Sequence, residues 1–152
     1  MSGVQILSVT EGNLREAGYV HALSWQESHR SFCTAAFIRR HTPEAQSEHL
    51  RREIAAGKQV FLMTAGGCPV GVVSVAGSLI ENLYILPEYQ NRGYGSQLLE
   101  YAIGLCSGAP TLFILSNNAR AQRLYERRGF RLTGCRNQIT DTLWELEMRL
   151  AP

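Results

Sequence analysis

Residues 90–99 read QNRGYGSQLL, and they place Gly93 and Gly95 one residue apart, where a polar loop turns into an apolar run of helical spacing. A glycine in a helical first turn costs about 0.5–1 kcal/mol relative to alanine, so the pair needs a compensating reason. Close approach of a ligand supplies one. Without Cβ atoms, the backbone amides from Arg92 to Ser96 can face an anion, and the unsatisfied N–H groups of a helix start together with its dipole favour phosphate. Two familiar phosphate loops do not match. A P-loop needs a second glycine followed by lysine where Leu98 and Leu99 stand, and a dinucleotide fingerprint needs a third glycine at Leu98 and an acidic residue about twenty positions on, where the FILSNN region (113–118) offers none.

Outward from this stretch, the pattern alternates between strand and helix periods. VQILSV (4–9) reads as a strand, with Thr10 capping a helix over 11–24 whose inner face carries Leu14, Ala17, Val20 and His21 or Ala22. A second helical region, Ser28 to Ala56, is divided by Pro43, with Thr42 before it as an N-terminal signal. VFLMTA (60–65) and VGVVSVA (70–76), separated by GGCP, read as antiparallel strands, and LIENLYIL (79–86) stops at Pro87. A helix follows through about Cys106. TLFIL (111–115) is apolar on both faces, as a strand between two helical layers is. Asn118 to Arg128 reads as a helix closed by Gly129, and FRLTGC and TLWELEMRL as a last pair of strands, the second burying one alternating face. The order strand, two helices, three strands, helix, strand, helix, two strands describes an α+β domain built on a mixed sheet.

A chain of 152 residues is the size of one domain and buries about two thirds of its unfolded surface, so residues 1–152 are read as one unit. Fifteen basic against thirteen acidic residues give +2 and no strong field. The arginines are scattered and make no basic stripe, so nucleic acid is not expected as a partner. No segment approaches the ~18 apolar residues of a membrane helix, and the N-terminal residues lack a secretory pattern, so a cytoplasmic protein without a membrane partner is expected. Cys33, Cys68, Cys106 and Cys135 lie far apart and are read as reduced, partly buried thiols. His21, His29, His41 and His49 are read on helices without HExxH spacing, so no metal is expected.

Gln90, Asn91, Arg92, Gly93, Tyr94 and Gly95 match in full the Gln/Arg-x-x-Gly-x-Gly/Ala signature of the GNAT superfamily of acyl-CoA-dependent N-acetyltransferases. LYILPEY (83–89) before it, and NARAQRLYERRGF (118–130) after it, resemble the same family at its expected spacing, so the resemblance covers roughly residues 60–150. It implies a central, mostly antiparallel twisted sheet of about seven strands with flanking helices, the fourth and fifth strands splayed. It implies acetyl-CoA as cosubstrate, its pyrophosphate held by amides from Asn91 to Ser96 and its pantetheine arm by the backbone of Ile85 and Leu86. By the same matching, Asn118 bonds the pantetheine or its neighbouring backbone, and Tyr125 gives a proton to the departing thiolate.

Acetylation of an amine requires a neutral nucleophile. For a lysine-like ammonium of pKa about 10.4, losing the proton near pH 7 costs about 4.6 kcal/mol. Glu81, four residues before Ile85 and so on its face by strict alternation, is the candidate base, as in some relatives. A strand-four amide near Leu86 is the candidate oxyanion donor. Trp25 and His29 are the candidate contacts to the acceptor. No cysteine lies in the matching motifs, which implies direct attack in a ternary complex on a small-molecule, peptide or protein-terminal amine. A coenzyme A-binding sensor without turnover is the alternative. The C-terminal strand LWELEMRL is read as an edge for a homodimer, with a monomer also open.

Overall fold

A computed structural model describes residues 3–151. Seven strands form one sheet in the order β1-β2-β3-β4-β5-β7-β6: β1 Val4–Ser8, β2 Gln59–Ala65, β3 Cys68–Ala76, β4 Leu79–Ile85, β5 Thr111–Leu115, β6 Phe130–Gln138 and β7 Trp144–Leu150. Every neighbouring pair is antiparallel except β4 and β5. Those two are parallel and pair only through Leu79 with Thr111 and Ile80 with Leu112. Beyond Ile80 they part, as the resemblance implied.

Among the described residues five helices cover the sheet: α1 Leu14–His29, α2 Ala35–Arg39, α3 Pro43–Ala55, α4 Tyr94–Leu105 and α5 Ala119–Arg128. Three of them precede β2, where two were expected, because α1 continues to His29 and the short α2 stands apart. Each later start has a local cause. The Thr34 and Thr42 hydroxyls accept from the Phe37 and Ala45 amides at 3.2 and 3.1 Å, capping α2 and α3. Thr10 does not cap α1: its own amide donates to Asn13 Oδ1 at 2.8 Å, and Asn13 is the residue before the helix. Gly18 is needed where α1 crosses α3, since a Cβ there would lie 2.1 Å from Ser47 Oγ and 2.7 Å from the Pro43 carbonyl oxygen.

Alternation along the strands feeds two apolar layers. Phe61, Met63, Val73 and Leu112 pack with Leu98, Leu99 and Ala102 of α4 and with Tyr125 of α5. Val60, Leu62 and Val72 pack with Leu14, Ala17 and Val20 of α1 and with Leu50 of α3. β5 departs from its expected two-faced burial: Leu112 and Ile114 are buried, while Phe113 and Leu115 are half-buried and border an open cleft. β7 also departs from expectation. It lies between β5 and β6, so β6, exposed after Phe130, is the sheet's edge. Cys68 and Cys135 are exposed rather than partly buried. No described helix is long and apolar enough to cross a membrane.

Candidate active site

Where β4 and β5 part, a cleft of about 1450 Å³ opens, bordered by β4 and β5, the start of α4, α5, and the facing sides of α1 and α3. The loop from β4 to α4 makes one of its walls. A 3-10 turn, Pro87–Tyr89, ends β4, and Gln90 then ties the loop down: its Nε2 donates to the Ile85 carbonyl at 3.0 Å and its Oε1 accepts from Arg120 of α5. Asn91 (φ 65°) and Gly93 (φ 87°) both take left-handed backbone, which turns the chain into α4. Space does not require glycine at 93, since a Cβ there would meet nothing within 4 Å; the backbone angle does.

Gln97 N–H bonds the Gly93 carbonyl at 3.2 Å, so the amides of Tyr94, Gly95 and Ser96 precede the helix's own ladder, and no side chain caps them. Gly93, Gly95 and Ser96 border the cleft. A Cβ on Gly95 would reach 3.5 Å from Leu124 Cδ2 and 3.8 Å from Ile85 Cγ1, pointing into the gap between the parted strands. This uncapped turn fits a diphosphate. Arg92 and Tyr94 turn their side chains elsewhere: Arg92 lies 5.5 Å from the centroid of the Tyr89 ring, and Tyr94 packs on the same ring edge-on at 6.4 Å.

Leu86 requires correction. Its amide donates to Val70 O at 2.9 Å and its carbonyl accepts from Tyr89 N at 2.9 Å, so the amide is spent on β3 and cannot polarise a thioester in the gap, and the carbonyl is used by the turn that follows. Because backbone direction alternates in an antiparallel pair, Leu86, Tyr84 and Asn82 turn theirs toward β3, and Ile85 and Leu83 turn theirs into the gap facing β5.

Glu81 is also placed differently. The register between β3 and β4 shifts between Ser74 and Val75, leaving Glu81 as an extra residue, and such a bulge breaks alternation. Ile80 consequently shares the α4-side layer with Ile85. The Glu81 carboxylate instead accepts from Lys58 Nζ at 2.9 Å, and Lys58 also donates to Glu53 of α3 at 2.7 Å. Glu81 borders the cleft within this ion pair.

Tyr125 is 7 % exposed, borders the cleft and packs edge-on against Phe130 at 5.9 Å. Burial, reinforced by the nearby Tyr84 phenol, pushes its own phenol above the ordinary range, so it stays protonated and is not a phenolate. Asn118 Oδ1 accepts from Ala121 N at 3.1 Å, capping α5, and Asn118 borders the cleft.

Trp25 lies between two imidazoles, 4.0 Å from His29 and 3.5 Å from His41, all three rings within 12° of parallel in each pair. His29 Nδ1 contacts Trp25 O at 2.9 Å, and burial lowers its pKa. Both expected acceptor contacts thus border the cleft. His41 lies between α2 and α3, not on a helix as expected.

The sequence reading missed several residues of the cleft. Arg120, Arg123 and Arg127 border it along α5, a basic row visible in the spacing i, i+3, i+7 once the helix is placed. Tyr84 borders it too, its phenol raised to about 12 by desolvation. His21, Ser24, His41 and His49 line the α1–α3 side, and only tertiary packing brings them there.

The acetyltransferase (GNAT) domain family matches residues 15–152. The chain belongs to that family. A curated relative, the peptidyl-lysine N-acetyltransferase YjaB of Salmonella typhimurium, is 33% identical over 73 residues. That stretch is 48% of this chain and 49% of the relative, so the chain matches about half the relative's length. Among solved structures, the ribosomal-protein-S18-alanine N-acetyltransferase of Escherichia coli superposes with a TM-score of 0.71 at 21% identity, covering 97% of this chain and 93% of that one. The PaiA N-acetyltransferase of Thermoplasma acidophilum, solved in complex with coenzyme A, superposes at 0.70 with 16% identity over 95% of this chain and 98% of that one. At these identities the likeness is one of fold.

Proposed function

We propose that this GNAT-family chain transfers an acetyl group from acetyl-CoA to a primary amine by direct attack while both substrates are bound. The observation that carries the proposal is the uncapped, left-handed entry to α4 at Gly93, opening onto the gap between β4 and β5. In this reading the diphosphate lies on the amides of Tyr94, Gly95 and Ser96, where the helix dipole adds to the N–H groups. The arginines of α5 border the same space and offset phosphate charge. The pantetheine arm continues the sheet beside β4 through the amide and carbonyl of Leu83. The Ile85 amide is the oxyanion donor, since its carbonyl is held by Gln90.

The reaction needs a proton on the leaving sulfur. The Tyr125 phenol, kept neutral by burial, supplies it. Glu81, committed to Lys58, acts by charge: it favours an incoming ammonium over an anion at the acceptor side. Trp25, His29 and His41 form a flat aromatic boundary for the acceptor. The YjaB relative is named for peptidyl-lysine and the S18 neighbour for a protein's alanine, and both support an amine acceptor carried on a peptide.

The test is release of free thiol from acetyl-CoA with a panel of amines: polyamines, amino acids, lysine peptides and peptides with free N-termini. Saturable, amine-dependent release supports the proposal. Saturable binding of acetyl-CoA with no release on any amine supports the coenzyme A sensor instead.

A further inference from the structure

All four histidines of the chain border the one cleft, and they differ in how their ring nitrogens are used. His29 Nδ1 contacts the Trp25 carbonyl, His41 Nδ1 contacts the Phe37 carbonyl at 3.1 Å, and His49 Nε2 lies 3.4 Å from Glu53 Oε2. His21 is 3 % exposed, and among the described residues neither of its ring nitrogens has a partner. One helical turn on, Ser24 is 6 % exposed and its hydroxyl is likewise without a partner. Glu53 Oε1 and Ser74 Oγ are also unpartnered, but neither residue borders the cleft. Buried polar atoms are rarely left unbonded. Two neighbouring ones on the cleft side of α1 point to a ligand that both donates and accepts.

We infer that His21 is a catalytic residue of the acetyl transfer: it accepts a hydrogen bond from the attacking amine, beside Ser24, and takes that proton as the new C–N bond forms. The inference rests on the acetyl-transfer reading above.

Position supports the assignment. The His21 ring meets the Tyr84 ring edge-on at 5.2 Å, and Tyr84, like Tyr125, borders the cleft. His21 of α1, Tyr84 of β4 and Tyr125 of α5 thus border one cleft, into which an amine and a thioester can both enter. The charged and titratable groups around His21 are His49 and Glu53 of α3, His41 before α3, and Tyr84 of β4. Burial first, then His49, lowers the His21 imidazolium to about 4, against the pull of Glu53. The ring is therefore neutral at physiological pH, with one lone pair and one N–H. A base so weak does not strip an alkylammonium, so the ammonium first loses one proton to solvent in the open cleft. Attack then makes the nitrogen far more acidic, and a weak base suffices.

The step balances. The amine lone pair forms the C–N bond, one N–H proton passes to His21, the C–S bond breaks with its electrons on sulfur, and Tyr125 protonates that sulfur. His21 passes its proton toward His49, whose ring centroid is 6.1 Å away and whose side chain is 44% exposed, and Tyr125 recovers one from solvent. Counting the proton lost by the ammonium before attack, one ammonium and one acetyl thioester give one amide, one thiol and one proton.

The experiment compares wild type with His21→Ala in the thiol-release assay, with and without added imidazole, after acetyl-CoA binding has been checked by calorimetry. The expected result is a fall in kcat of about a hundredfold, acetyl-CoA affinity within about threefold of wild type, and recovery of about tenfold or more of the lost rate by tens of millimolar imidazole filling the vacated space. A loss under about threefold, or a loss that imidazole leaves unchanged, overturns the inference and marks His21 as a packing residue satisfied by water. If His21→Ala fails to bind acetyl-CoA, His21→Gln keeps the volume and one polar end, and its kcat decides by the same threshold. Absence of turnover by wild type on every amine instead defeats the acetyl-transfer reading.

Discussion

On the α4 side of the cleft the groups facing inward are mostly main chain: the amides after Gly93 and the gap-facing edge of β4. On the α1 and α3 side they are side chains: the imidazoles of His21 and His49, the Ser24 hydroxyl and the Trp25 stack. The first wall depends on backbone angles that few residues allow, so it leaves a spaced motif in the sequence. The second depends on where two helices pack, and its residues are scattered over about thirty positions with no pattern of their own. A cosubstrate with a fixed diphosphate suits the first wall, and an acceptor that differs among relatives suits the second.

The largest effect that separates the walls is acid stability. His21 binds fewer protons in the folded chain than in the unfolded one between pH 6.5 and about 4. Stability is therefore fully present above pH 6.5 and is lost as pH falls, by about 3 kcal/mol from this one residue. Urea melts across that range should show the fall in wild type, and His21→Leu should remove most of it. Next is Tyr125→Phe, which keeps the ring against Phe130 and removes the proton donor. Its kcat should drop about a hundredfold, with little change in KM for acetyl-CoA. Gly93→Ala forces a Cβ into left-handed backbone at a cost of about 1–2 kcal/mol and should weaken coenzyme A binding roughly tenfold by calorimetry without touching the acceptor KM. Smallest is Glu81→Gln: the amine KM should rise about two- to fivefold at low salt, with the difference fading as salt screens it. An effect of Gly93→Ala on acceptor KM alone, or of Glu81→Gln on coenzyme affinity alone, would break the division between the walls.

The same division decides which features are legible in the sequence. QNRGYGSQLL predicted a phosphate-binding helix start, and the helix does begin at Tyr94 after a left-handed glycine. The parting of β4 from β5 followed from the family resemblance. Strict alternation places Glu81 on the face of Ile85, and a single bulged residue undoes that count. The Leu86 amide turns toward β3 and not toward the gap, and the strand pairing that decides which amides face the gap is not visible along one strand. His21 looked like any helical histidine on an apolar face. Its significance lies in what does not reach it, and that is a property of three elements packed together.

The most direct test of the account is a backbone amide NMR titration with acetyl-CoA. The account predicts saturable shifts that are largest and downfield at Tyr94, Gly95 and Ser96, with only small movement at His21 and Ser24 until an amine is added. No saturation at millimolar acetyl-CoA, or saturation with those three amides unmoved, would contradict it.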